Sequence, residues 1–421
     1  MFFDNISDTT VFAKLRKAVS LESVASGGAE NLIYDAASDM ISEAERKSLR
    51  GDLWEIFFAL AVVTDENSTW RACETSPMKD GLFGVIANEV WSRHKIITAV
   101  KRLVERDDNY AGLRPLSNYI PGTETQRPHA AEDTFDALLR LASVLASAYG
   151  PDDMRPALME FRSVYGGGRF ALGCAFKWDS GSGRLVPIED IDPTTLDSLA
   201  GYDSQKRELT ANTESFIRGK PSNNVLLFGD SGTGKSSSVR ALLNERDFVK
   251  RRLRIIEVKQ GQFSDIPDIL GLVRGEPYRF ILFMDDLSFE EFEVEYKHLK
   301  ALIEGGLERK PDNVLIYATS NRRNIIREVW SDRAASTDDV HGVDTMQERH
   351  SLSDRFGLTI WYPSAGKDGY ISMVRAIAAE LRLKLPDAGV EEPALRWELE
   401  HGGFTGRTAR QFVYHLLQEE A

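Results

Sequence analysis

Cysteine is nearly absent from this chain, which has only Cys73 and Cys174. Two are too few for a disulfide framework or a cysteine-built zinc cluster, so free thiols in a reducing compartment are expected. Long apolar runs are missing too. The longest, Ile56–Val63, falls far short of the roughly 20 residues a membrane-spanning helix needs. The opening residues Met1–Asn5 carry neither the basic lead nor the apolar stretch of a secretory signal. A cytoplasmic protein without membrane contact is therefore expected. Basic charge is in deficit, with 52 Lys and Arg against 65 Asp and Glu and a formal net charge of −13. That balance disfavours a broad nucleic-acid footprint and leaves only local basic patches for such binding. None of the seven histidines pairs with another at metal-ligand spacing, and there is no internal repeat or low-complexity tract.

What is present is a chain of 421 residues, long enough for two or three domains with cores of their own. Apolar residues recur at helical spacing in Val11–Val19, Leu32–Ile41, Leu53–Val63, Val85–Val104 and Phe135–Ala148. A helical N-terminal domain over residues 1–165 follows, interrupted by a turn-rich coil from Pro115 to Pro128. It reads as an accessory domain or as a docking platform for a partner or substrate. Gly166-Gly167-Gly168 reads as a flexible joint. Residues 166–189 hold that joint and a β-hairpin turning around Asp179–Gly183. From Asp190 the pattern becomes strand, loop, helix, the signature of a parallel α/β sheet over residues 190–362, with a helical segment over 363–421.

The chemistry concentrates in Gly229-Asp230-Ser231-Gly232-Thr233-Gly234-Lys235-Ser236, which fits the phosphate-loop pattern G-x-x-x-x-G-K-[ST] at every fixed position. Glycines let the backbone curl so that successive N–H groups point at an anion. Lys235 is suited to the β- and γ-phosphates of a triphosphate, and the Ser236 hydroxyl to one Mg²⁺ position, with Ser237 next along the loop. A short apolar strand, Asn224–Phe228, precedes the loop, and a helix opening at Ser237 follows it. A second apolar strand, Arg279–Met284, ends in Asp285 and Asp286 and is expected directly beside the phosphate-loop strand. There Asp285 holds the metal, and Asp286 orients or deprotonates an attacking water. A third, Asn313–Ser320, ends at Asn321, whose amide suits sensing a γ-phosphate or positioning the water. Arg355, just before another apolar stretch, suits a finger inserted into a neighbouring subunit's site, with an ion pair to Asp354 as the alternative. Near the end, Gly406–Arg410 opens an amphipathic helix from which Arg410 can reach the γ-phosphate, with Arg407 as its competitor.

In this order, the phosphate loop, the Asp-Asp strand, Asn321, Arg355 and Arg410 resemble the AAA+ ATPases. The wording of Asn223–Leu227, Phe280–Phe289, Tyr317–Arg323, Ser351–Gly357 and Gly406–Phe412 is closer still to a bacterial family, the domain of unknown function 815. The resemblance covers about residues 190–421. It implies an αβα P-loop ATPase core with a parallel sheet, a C-terminal helical lid, and ATP with Mg²⁺ bound at a subunit boundary. Leu199–Tyr202 would then lie near the adenine, making Tyr202 a nucleotide contact. Arg355 acting in trans implies a homo-oligomer, a ring or open spiral with a hexamer as one form. The expected activity is Mg-dependent ATP hydrolysis that remodels or loads an unidentified protein partner. Two other readings stay open. One is a nucleotide-dependent switch with little turnover, because most AAA+ proteins carry Glu where Asp286 stands; Glu290 or Glu291 can contribute instead. The other is a DNA-associated loader, motivated by the twin acids and by the basic run Lys250–Arg254, whose bland alternative is a solvated face. Phe263 stands alone after the second strand, as a core anchor would, so polypeptide threading is not expected. Ser331–Arg349, polar and acidic, reads as a mobile insert.

Overall fold

The structure, a computed structural model, describes residues 11–22, 28–65, 70, 79–122, 129–287, 310–321, 356–385 and 389–419. Internal contacts divide the chain into two units, Met1–Gly173 and Cys174–Ala421. No described helix is long and apolar enough to cross a membrane.

The first unit contains the helices α1 (Val11–Glu22), α2 (Ala29–Lys47), α3 (Leu53–Thr64), α4 (Lys79–Arg106), α5 (His129–Ser147) and α6 (Pro151–Tyr165). In α2 the buried residues Ile33, Ala36, Ala37, Met40 and Ala44 recur at helical spacing, and the small alanines among them let neighbours approach. α3 is apolar on nearly every side because it is the central helix, with Leu53, Trp54, Ile56, Phe58, Leu60 and Val63 all buried. Asp52 caps it by accepting the backbone N–H groups of Trp54 (3.0 Å) and Glu55 (3.3 Å). The glycine run read as a joint is packed rather than solvated: Gly166, Gly167 and Gly168 are all buried in this unit. A Cβ on Gly167 would collide with the guanidinium of Arg162, itself only 6% exposed. That guanidinium lies 4.0 Å from the Trp70 ring centre and donates to the Asp65 carbonyl at 3.0 Å.

The second unit is built on a seven-stranded sheet in the order β2-β1-β4-β5-β6-β3-β7. The strands are β1 (Ala175–Asp179), β2 (Arg184–Pro187), β3 (Val225–Gly229), β4 (Leu253–Glu257), β5 (Arg279–Met284), β6 (Val314–Ser320) and β7 (Leu358–Tyr362). Among the described strands only β1 and β2 pair antiparallel, and β1 joins the sheet by running parallel to β4. The hairpin therefore extends the sheet, and its first strand begins at Ala175, after a 3₁₀ turn at Gly168–Phe170. Every residue of β6 is buried, and β3 and β5 have one half-buried residue each, as central parallel strands covered on both faces require. The edge strand β7 alternates instead, burying Ile360 and Tyr362 while Trp361 is exposed. Helices α7 (Asp203–Ile217), α8 (Lys235–Ala241), α9 (Arg246–Lys250) and α10 (Ile266–Val273) belong to the sheet. α11 (Gly366–Glu380), α12 (Glu391–His401) and α13 (Gly406–Glu419) form a helical lid with its own apolar cluster around Tyr370, Val374, Ile377, Phe412 and Val413.

Two expectations change. β5 is not the neighbour of β3, because β6 lies between them. The sheet thus places the strand ending in Asn321, not the Asp-Asp strand, beside the phosphate loop. The basic run Lys250–Arg254 does not form one surface: Arg254 is 2% exposed and lies over the Tyr278 ring, and Arg252 donates to the Pro277 carbonyl. Phe263 is buried, as a core anchor should be.

Candidate nucleotide site

The carboxyl ends of β3, β5 and β6 open on a cavity of about 430 Å³, which lies within the size range of small-ligand sites. Such a crevice forms where connections leave adjacent parallel strands in opposite directions, here between β3 and β6. Its wall includes Ser231–Ser238, Asp285, Asp286 and Asn321 from the core, and Ile377, Arg407 and Arg410 from the lid. The segment Ser198–Tyr202 lines the same cavity. The sheet thus gathers most of the sequence-predicted residues in one place. Arg355, Glu290, Glu291 and the Ser331–Arg349 segment lie outside the described residues.

The carbonyls of Gly229 and Asp230 hold the lysine. Lys235 Nζ donates to Gly229 O (3.0 Å), Asp230 O (2.7 Å) and Asn321 Oδ1 (2.9 Å). Burial pulls the Lys235 ammonium below the usual lysine range, while Asp286, Asp230 and Asp285 oppose that shift and Arg407 adds to it. Thr233 fixes the curl by donating to Asp230 O at 2.8 Å. Gly232 and Gly234 take positive φ values of 77° and 90°.

The two acids are gripped by β6. Thr319 Oγ1 donates to Asp285 Oδ1 (2.7 Å) and accepts the Asp286 N–H (2.8 Å), while Thr319 O accepts the Leu287 N–H (2.7 Å). Ser236 Oγ donates to the same Asp285 Oδ1 at 2.5 Å. A hydroxyl and a carboxylate so close together are hard oxygen donors of the kind that would hold Mg²⁺, with phosphate and water completing its shell. Among the described residues no group of three or more His, Cys, Asp or Glu could hold a metal ion. Asp286 has left-handed backbone (φ 56°), and Asn321 Nδ2 donates to its Oδ1 at 2.6 Å. Asn321 therefore bridges Lys235 and Asp286, accepting from one and donating to the other.

Tyr202 closes another wall. Its hydroxyl donates to Pro363 O at 2.7 Å, its ring lies 5.0 Å from that of Tyr362, and burial pushes its pKa to about 12. Arg410 pairs with Glu380 at 3.3 Å, whereas Arg407 is exposed and its N–H donates to Gly232 O at 3.3 Å. Both arginines thus reach the cavity wall, and Arg407 follows the loop more directly. Sequence reasoning missed Thr319, Gln260, which donates to Asp286 O at 2.8 Å, and Lys206, which holds the Ser198–Tyr202 segment through Leu199 O at 2.7 Å. It also missed Arg240, which donates to Asp285 Oδ2 at 2.8 Å.

Comparison with known proteins gives the family. A family model described as a protein of unknown function (DUF815) matches residues 172–420, more than half of the chain. The chain belongs to the DUF815 family. It is similar over 61 residues to the replication factor C large subunit of Methanococcus vannielii (39% identity, 14% of this chain and 12% of that protein). It is similar over 163 residues to an AAA-ATPase of Arabidopsis thaliana (28% identity, 36% and 30%). Among solved structures it is similar to the Holliday junction branch migration motor RuvB of Thermotoga maritima, at 20% identity and TM-score 0.34, covering 53% of this chain and 63% of that one. The chain thus spans less than a third of either curated relative and under two-thirds of the solved one. The sheet order, the phosphate loop and the lid make this DUF815 chain an AAA+ type P-loop fold.

Proposed function

We propose that this protein binds ATP with Mg²⁺ and hydrolyses it as an oligomeric AAA+ ATPase that remodels or loads a protein partner. The observation that carries the reading is the meeting of Lys235, Ser236, Asp285, Asp286 and Asn321 in one cavity beneath lid arginines. In this reading the 231–236 backbone and Lys235 receive the β- and γ-phosphates. Ser236 and Asp285 hold the magnesium, which when bound offsets charge that develops on the phosphates. Asp286 takes the proton of the attacking water, and Asn321 orients that water once Lys235 has turned to the phosphate. Arg410 or Arg407 approaches from the lid, and Arg355 serves the site of a neighbouring subunit. Steady-state phosphate release is the test. Turnover that needs magnesium and disappears in Lys235→Ala supports the reading; no turnover at any protein concentration sinks it. Arg355→Ala should lower turnover per site, and ATP should promote oligomers.

A nucleotide-dependent switch is the second reading. It is favoured by Asp286, a short acid whose carboxylate Asn321 holds at 2.6 Å. Tight ATP binding without phosphate release would select it. A DNA-associated loader has less support, because Arg254 of the basic run is buried.

A further inference from the structure

Arg240 is a charged group in the cavity wall that the proposed ATPase reading does not use. It lies four residues after Ser236, and residues at that spacing share one face of a helix. The result is a divided carboxylate. Ser236 and Thr319 donate to Asp285 Oδ1, and Arg240 Nη2 donates to Oδ2 at 2.8 Å. Two neutral hydroxyls therefore hold one oxygen and a cation holds the other. The Arg240 and Asp285 side chains are 42% and 29% exposed, so the pair contributes little to folding stability. Its effect lies in the charge of the site. Asp230, Asp285 and Asp286 all act electrostatically on Lys235, so an arriving polyphosphate meets a cluster of carboxylates. Arg240, together with Arg410, also acts electrostatically on Asp192.

We propose that Arg240 is a positioning residue that serves as the resident counter-cation of Asp285, allowing a nucleoside polyphosphate to dock before the metal and making magnesium compete with a guanidinium for Asp285. This rests on the nucleotide-site reading above. The residue lowers the metal requirement of binding: without magnesium it screens Asp285 from the phosphates, and with magnesium it opposes a second cation at the same carboxylate. Removing it should weaken metal-free binding while leaving metal-assisted binding unchanged or tighter.

The experiment is calorimetric titration of the full chain with the non-hydrolysable analogue AMPPNP, in EDTA and in excess magnesium. Wild type, Arg240→Gln and Arg240→Lys are compared. The quantity read is the ratio of the two dissociation constants, EDTA over magnesium. Arg240→Gln should raise that ratio by roughly tenfold and shift the magnesium midpoint at saturating AMPPNP to lower concentration. Arg240→Lys, which keeps the charge but not the fork, should stay within about threefold of wild type. An unchanged ratio in Arg240→Gln overturns the proposal, as does equal weakening in both conditions, which would mark a plain phosphate contact. A lysine variant that behaves like glutamine also overturns it, since charge would then not be the cause. Failure of wild type to bind AMPPNP even with magnesium would instead refute the nucleotide-site reading itself.

Discussion

Gly229→Ala tests whether the first glycine of the loop serves the sheet rather than the phosphates. Gly229 has φ +141°, and it pairs with Tyr362 of β7. A Cβ there would lie 2.0 Å from the Tyr362 carbonyl oxygen and 2.8 Å from its carbonyl carbon. Those atoms are backbone of a paired strand and cannot swing aside. The conformation costs a non-glycine residue about 1–3 kcal/mol, and forced overpacking a further 1–3 kcal/mol. Together, about 2–6 kcal/mol is a large part of the roughly 5–15 kcal/mol that holds a domain folded. Gly234 is the control: its φ is +90°, yet nothing lies within 4 Å of its Cβ position. Gly234→Ala should therefore cost only the backbone strain, about 1–2 kcal/mol. With two units in the chain a single unfolding free energy is ill-defined, so hydrogen exchange resolved to peptides is the proper assay. Without nucleotide, Gly229→Ala should reduce protection in β3 and β7 by about thirtyfold or more, whereas Gly234→Ala should reduce it by under about thirtyfold. Equal losses in the two variants, or protection of β7 unchanged in Gly229→Ala, would refute the close-approach explanation.

Asn321→Ala should cut phosphate release by at least about tenfold while AMPPNP affinity changes less than about threefold, since the amide touches Lys235 and Asp286 rather than the loop backbone. Single-turnover and binding measurements on one preparation separate the two effects. Arg162→Ala should cost the first unit about 2–4 kcal/mol, because it removes the donor to Asp65 O and empties the space over Trp70. Exchange protection should fall in α3 and α6 and stay unchanged in the sheet. Burial pushes Tyr317, Tyr202 and Tyr362 to about 12. Their folded values exceed the unfolded value, so the stability they contribute is complete below about pH 10 and is lost as pH rises toward 12. Absorbance at 295 nm should show tyrosines that ionise only as the sheet loses protection; one uniform step near pH 10 with structure retained would contradict this.

The phosphate loop was legible because its chemistry is contiguous: one curl of chain carries the glycines, the lysine and the hydroxyl. The parallel sheet was legible because its central strands read as unbroken apolar runs. Strand order was not, since nothing along the chain says that β6 inserts between β3 and β5. Thr319 went unseen for that reason. It lies on β6 two residues before Asn321, but its role exists only once β5 lies alongside. The glycine run misled for a related reason: sequence assigns glycine freedom, whereas here a buried arginine side chain requires the missing Cβ.

Asp286 carries the same lesson into the chemistry. Sequence alone shows an acid one methylene shorter than the usual glutamate, which points to slow hydrolysis. The structure adds a backbone at φ 56°, held by Thr319 at its N–H and by Gln260 at its carbonyl. A left-handed residue redirects its side chain, so side-chain length alone no longer sets the distance to the water. In the proposed ATPase reading, the rate depends on how firmly Asn321 holds the carboxylate, a grip that also engages Lys235. In that reading, a phosphate that draws Lys235 away from the amide would leave Asn321 Oδ1 free to accept from the attacking water.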